Sequence, residues 1–199
     1  MPRLTFHGKD ILDSIIRSED NTTHYYTSTT TSFRGRKITS IQYDPPHSLS
    51  AGYTAGTIDW RTGVFDIGGL QRPISMLKRK SGGLFSSERE WTWSGEKYII
   101  KFGGDRWTAT RRSDNETCAV FTMRESHTLR DSKSATITFP VTIPAEDVLF
   151  LMMVMIYSVT RHEDKRKQSQ NAHRSNAANA ASAANTGTAE AASLAVSTC

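Results

Sequence analysis

The segment from Val148 to Val159 is the feature that most restricts how this chain can fold. It contains no charged residue, no glycine and no proline, and most of its side chains are long and apolar. Pro144 and two acidic residues precede it, and several basic residues follow it. Proline in the first turn, acids at the start and bases at the end are typical of a helix and suit its dipole. The sequence therefore predicts a helix over residues 144–163.

The middle of this helix has no polar face. A helix that is apolar on all sides must be enclosed on all sides, by lipid or by protein. A bilayer span needs about 20 apolar residues, and a shorter run is more typical of a buried core helix. We therefore predict that protein encloses it. The predicted core positions of the helix are Val148, Leu149, Leu151, Met152, Met155, Ile156 and Val159.

The chain before Pro144 is a succession of short β patterns. β-branched and aromatic residues alternate with polar ones, and turn signals separate the runs, which is the pattern of an all-β sandwich or barrel. Residues 8–20 fit a loop or a short amphipathic turn, and Ile74–Leu77 fits an extended segment. The predicted strands are Leu4–Phe6, Thr22–Ser32, Lys37–Tyr43, Tyr53–Trp60, Val64–Ile67, Arg89–Trp93, Lys97–Phe102, Trp107–Thr110, Cys118–Met123 and Ala135–Phe139.

Strands and helix complement each other. A long antiparallel sheet has edges to hide, and closing it into a barrel removes them. The interior of a barrel must be filled by side chains, and the apolar helix must be enclosed by protein. We therefore predict a closed antiparallel β-barrel, residues 1–167, around the central helix. Residues 168–199 are rich in Ala, Asn and Ser, with almost nothing large to bury, and we predict a disordered tail.

Composition sets limits on partners and location. The 199 residues carry a net charge of +5, which is compatible with anionic partners, although we expect no nucleic acid. The two cysteines, Cys118 and Cys199, do not suggest a disulfide framework. The N-terminus has no apolar leader run. We expect a cytoplasmic monomer, either free or peripheral to a membrane.

The sequence contains no strong catalytic or metal-binding pattern. The six histidines are scattered, with no pair at metal-ligand spacing, so we expect no metal. Ser94-Gly95-Glu96-Lys97 matches an acylating-enzyme pattern in form, but it lies on a predicted hairpin and lacks companion motifs. We expect no catalytic residues and no cofactor. The methionines of the apolar helix suit a gap-filling core role.

The best candidate for an anion site is basic. Lys78, Arg79 and Lys80 precede a glycine pair in a predicted loop, and Arg111 and Arg112 follow a predicted strand. These five side chains are the predicted anion- or lipid-binding residues. The competing interpretation is a solvated basic turn without a ligand.

Several short motifs resemble a fungal family of unknown function, related to the tubby C-terminal domain and to LURP-one-related and scramblase-like barrels. The resemblance covers about residues 3–165 and is strongest from Trp91 to the end of the helix. The motifs are Leu4-Thr5-Phe6, Asn21-Thr22-Thr23 with Tyr25-Tyr26-Thr27, Arg36-Lys37-Ile38-Thr39, Ile58-Asp59-Trp60, Trp91–Tyr98, and the apolar run followed by Arg161 and Lys165-Arg166-Lys167. The resemblance implies a barrel of about twelve strands around a central helix, and no catalytic residues.

These observations leave three hypotheses for function. The first is a non-enzymatic binding module that recognises an anionic lipid headgroup or a protein partner through basic loops. The second is a membrane-associated, scramblase-like protein that inserts residues 148–159 into a bilayer. The third is an enzyme of unrecognised type.

Overall fold

The computed structural model describes residues 3–22, 24–44, 52–82, 88–124 and 133–194, with side chains described as far as residue 173. The chain divides into two compact units, Met1–Tyr157 and Ser158–Cys199. The strands within these ranges belong to the first unit, whereas helix α2 (Ala145–Leu194) begins in the first unit and continues into the second. The prediction of a mainly β chain with one C-terminal helix is confirmed.

In the described parts of the chain, thirteen strands and a short helix precede α2. Most strands alternate β-branched or aromatic residues with polar ones, so one set of side chains faces the interior of the unit. The elements are β1 (Arg3–Asp10), β2 (Asp13–Ser18), β3 (His24–Ser32), β4 (Gly35–Tyr43), β5 (Tyr53–Asp59), β6 (Val64–Ile67), β7 (Leu70–Pro73), α1 (Ile74–Leu77), β8 (Lys78–Lys80), β9 (Arg89–Trp93), β10 (Glu96–Gly103), β11 (Arg106–Arg111), β12 (Thr117–Thr122) and β13 (Thr136–Thr138).

The strands form one antiparallel sheet in the order β7-β6-β5-β4-β3-β2-β1-β13-β12-β11-β10-β9-β8. Neighbours in the sheet are neighbours in the chain except where β1 pairs with β13. The sheet therefore consists of two meanders, joined by the first and last strands.

The ends of the sheet explain why a closed barrel is not confirmed. Because strand direction alternates across thirteen strands, β7 and β8 at the two ends run in the same direction. The four residues of α1 join them. Parallel neighbours need a connection of about a dozen residues or more, so β7 and β8 cannot pair side by side. The predicted closed barrel of about twelve strands is therefore not confirmed, and the described strands form one sheet of thirteen that is not closed.

Helix α2 has no exposed side between Phe150 and Ile156. All seven residues from Phe150 to Ile156 are 0% exposed, which includes the predicted core positions Leu151, Met152, Met155 and Ile156. Leu149 is also buried and Val148 is half-buried, whereas Val159 lies in the second unit. Aromatic side chains from β9 and from the turn after β5 cover the helix. Trp93 stacks on Phe150 with ring centroids 5.2 Å apart, and Trp60 stacks on Tyr157 at 5.5 Å.

Strand β5 approaches this helix closely at Gly56. A Cβ atom added to Gly56 would lie 2.8 Å from the Sδ of Met153 and 3.0 Å from the carbonyl oxygen of Asp66 on β6. A side chain at this position would therefore force Met153 or β6 to shift.

Three predictions about local structure are wrong. Residues 13–18 form β2. The sequence did not show this strand, because Ser14 and Ser18 occupy inward positions beside Ile16 and interrupt the alternation of apolar and polar residues. The Ser14 amide is satisfied by the Thr27 hydroxyl at 2.9 Å. Residues 74–77 form a helical turn that buries Ile74 and Leu77. Residues 78–80, predicted as a loop, form the edge strand β8.

The second unit contains the remainder of α2. The helix ends at Leu194, well beyond the predicted end at residue 163. Ala-rich sequence has high helix propensity even where it offers no apolar face to dock. Cys199 lies outside the described residues. Disorder of residues 168–199 stays a prediction.

Candidate functional site

Four charged side chains share the face of β8–β11 that points away from the helix. Glu90 on β9 is 8% exposed, and its carboxylate pairs with Lys97 Nζ at 3.8 Å and with the guanidinium of Arg112, directly after β11. Arg79 on β8 is the register partner of Glu90, so its side chain points to the same face. Three positive charges and one negative charge leave this group, which we name the Glu90 cluster, with a net charge of +2.

The cationic side chains of the Glu90 cluster are accessible although its carboxylate is not. The side chains of Lys97 and Arg112 are 51% and 59% exposed, whereas that of Glu90 is 10% exposed. Within the described parts of the chain, Arg79 is exposed and has no ion pair. The buried Glu90 carboxylate thus holds Lys97 and Arg112 in place, while both basic side chains stay exposed to solvent.

The predicted triplet on β8 is divided between the two faces of the sheet. Lys78 pairs in register with Trp91 and points to the helix side. Its Nζ lies 5.5 Å from the Trp91 ring centroid and 5.3 Å from that of Tyr157, which are cation–π distances. Lys80 is exposed and pairs in register with Arg89. Arg79 is therefore the member of the triplet that joins the Glu90 cluster.

Arg111 is engaged elsewhere. Its Nη2 lies 2.6 Å from Asp114 Oδ2 and 2.9 Å from Glu116 Oε2. The hydrogen bond from Arg111 holds the pKa of Asp114 below its ordinary value. Two carboxylates already surround this guanidinium, so of the five predicted anion-binding residues the structure brings together Arg79 and Arg112. Lys97 joins them, and the signal for it was its position opposite Tyr98 in the alternation of β10.

A second basic surface, which sequence reasoning missed, lies at the turn between β3 and β4. Phe33 is 92% exposed, and the Arg34 guanidinium lies 5.1 Å from the Phe33 ring centroid. Arg61, from the turn after β5, donates a hydrogen bond to Ser32 Oγ. We name residues 32–37 together with Arg61 the hairpin tip. The missed signal is that no acidic residue lies between Asp20 and Asp44.

A buried acid lies at the start of α2. Asp147 is 5% exposed, and burial raises the pKa of its carboxyl group, while a polar contact from the Tyr98 hydroxyl opposes that rise. Burial also raises the pKa of Tyr98, which is 0% exposed. The helix dipole favours an ionised acid in the first turn, but burial has the larger effect on the Asp147 carboxyl group and favours its neutral form.

Comparison of the chain with family models, with curated proteins and with solved structures gave no match. Among the described residues, no helix combines the length and the apolar character that a membrane crossing requires.

Proposed function

We propose that this protein is a non-enzymatic binding module that recognises a phosphorylated anionic group, such as a lipid headgroup, on the Glu90 cluster. Arg79, Lys97 and Arg112 would contact the phosphate oxygens. The observation that carries the proposal is the buried Glu90 carboxylate, which holds Lys97 and Arg112 beside an exposed Arg79.

The chemistry of the cluster supports this choice. Guanidinium groups donate two parallel hydrogen bonds to phosphate, and charge-assisted hydrogen bonds of this kind are about twice as strong as neutral ones. Ion pairs to Glu90 restrict the two bases before a ligand arrives, so less side-chain entropy is lost on binding. Neutralisation by Glu90 is incomplete, because three bases face one acid.

The sheet would serve as a rigid scaffold for this surface. We propose that β7, α1 and β8 act as one interrupted strand, whose first half pairs with β6 and whose second half pairs with β9. The sheet would then surround the helix as a barrel of tubby-like type. The shared direction of β7 and β8 and their four-residue connection support this arrangement.

Calorimetric titration of the protein with soluble inositol 1,4,5-trisphosphate tests the binding proposal. Arg79→Ala and Arg112→Ala should each weaken binding about tenfold or more, because each removes charge-assisted hydrogen bonds. Arg17→Ala is the matched control, since Arg17 is an exposed base on β2. Equal affinities for the wild type and both cluster variants would refute the proposal.

Membrane insertion of residues 148–159 is the alternative. The complete burial of Phe150–Ile156 against strand side chains favours the binding module over insertion. Carbonate extraction of membranes distinguishes the two, because an inserted helix stays with the pellet and a peripheral module enters the supernatant.

A further inference from the structure

The hairpin tip combines an apolar side chain with an unusually basic surrounding. We propose that it docks on an anionic phospholipid bilayer, with Phe33 inserted at the boundary between headgroups and acyl chains. Arg34, Lys37 and Arg61 would lie at the level of the lipid phosphates. This inference uses residues separate from the Glu90 cluster and does not depend on the function proposed for that cluster.

The position of Phe33 is the first observation. Its 92% exposure is larger than that of the other exposed large apolar side chains described, namely Met76 at 65%, Tyr53 at 59% and Leu70 at 48%. A single exposed apolar residue is common on soluble proteins and needs no explanation by itself. Phe33, however, occupies the end of a hairpin and lies beside the Arg34 guanidinium.

The turn holds Phe33 in this position. Ser32 and Gly35 are the last register pair of β3 and β4, so Phe33 and Arg34 form a two-residue connection. Gly35 has a φ of 94°, a conformation that closes such a turn and that other residues rarely adopt. Ser32 Oγ accepts hydrogen bonds from the Arg34 amide and from the Arg61 side chain. The tip is therefore preorganised and would lose little freedom on docking.

Charge complementarity identifies the partner. Arg34, Arg36 and Lys37 follow Phe33 directly, Arg61 joins them from the turn between β5 and β6, and no acidic residue occurs between Asp20 and Asp44. Asp59 lies beside this group and accepts a hydrogen bond from the Arg61 backbone amide at 2.8 Å. Basic residues attract the negatively charged surface of a membrane, and each one near the surface strengthens binding by about fivefold. An apolar tip ringed by bases therefore fits an anionic lipid surface.

Sedimentation of the full chain with vesicles tests this proposal. Vesicles of phosphatidylcholine with phosphatidylserine should bind the protein, and vesicles of phosphatidylcholine alone should bind it far less. Phe33→Ala should lower the partition coefficient about 10- to 100-fold, and Arg34→Ala with Lys37→Ala should lower it about tenfold or more. Met76→Ala and Arg17→Ala, which remove another exposed apolar side chain and another exposed base, should change it less than about twofold.

Insertion itself is read with the Phe33→Trp variant. Its emission should shift to shorter wavelength on anionic vesicles and be quenched by brominated acyl chains, relative to the wild type with its own tryptophans. Phe33, Arg34 and Lys37 are exposed, so all tip variants should keep the wild-type melting temperature. Equal partitioning of Phe33→Ala and wild type, or an emission spectrum of Phe33→Trp that vesicles leave unchanged, would overturn the inference. Because these vesicles contain no phosphorylated inositol, failure of trisphosphate binding at the Glu90 cluster would leave this result unaffected.

Discussion

Substitution of Gly56 by alanine gives the most direct test that α2 lies against the inner face of the sheet. The added Cβ would meet Met153 Sδ at 2.8 Å and the Asp66 carbonyl oxygen at 3.0 Å. Met153 is 0% exposed, so its side chain has little room to move. Overpacking of this kind lowers the free energy of unfolding by about 1–3 kcal/mol. For a chain of this size the melting temperature should fall by about 2–4 °C per kcal/mol.

Gly103→Ala is the matched control. Gly103 is also a strand glycine, at the end of β10, but a Cβ there would meet nothing within 4 Å. Alanine at a compatible position stabilises by about 0.4–1 kcal/mol through the unfolded state. Gly103→Ala should therefore be neutral or slightly stabilising under the same urea and thermal titrations.

A double-mutant cycle shows whether Met153 causes the effect. Met153→Ala alone should destabilise by about 2–5 kcal/mol because it leaves a cavity. In that background Gly56→Ala should cost less, with a coupling energy of about 0.5–3 kcal/mol. If Gly56→Ala behaves like Gly103→Ala, or if the two substitutions are additive, the helix does not pack on β5 as described.

Two further substitutions test buried polar groups. Burial raises the pKa of Asp147 above its ordinary 3.8, so the folded protein favours the neutral acid and loses stability as pH rises from that value toward the folded pKa. In urea titrations, Asp147→Asn should therefore have a larger free energy of unfolding than the wild type at neutral pH and an equal one below about pH 3.5. A constant difference across pH would contradict this. Thr39→Val removes the acceptor of the Trp60 Nε1 hydrogen bond, 2.8 Å long, and should lower the free energy of unfolding by about 1–3 kcal/mol. Thr30→Val, at an exposed position, should change it by less than about 0.5 kcal/mol in the same assay.

The elements with strong alternation were predictable from sequence. β9 and β10 follow the expected ranges because Trp91, Trp93 and Tyr98 occupy alternate positions of their strands and face the same interior. The burial of the helix was predictable because no polar face exists between Val148 and Val159. Both inferences depend on local patterns that a single element carries.

Features set by several strands were not predictable. Ser14 and Ser18 take inward positions on β2, and the partner that satisfies the Ser14 amide is Thr27 on another strand. An odd number of antiparallel strands leaves the two end strands running in the same direction, and a short strand such as β8 makes the number odd. Likewise, Arg79 and Lys97 lie around Glu90 because of the register of β8, β9 and β10. This register could not be predicted from the sequence alone.

The order of elements along the chain affects synthesis of this protein. Helix α2 follows the described strands along the chain, so its buried segment leaves the ribosome after the strands that pack against it. At about 5–20 residues per second, the strands wait some seconds while Trp91 and Trp93 lack Phe150, the helix side chain that they contact. Nascent chains arrested before residue 145 should therefore associate with chaperones that bind apolar surface. Release should follow once residues 145–157 have emerged.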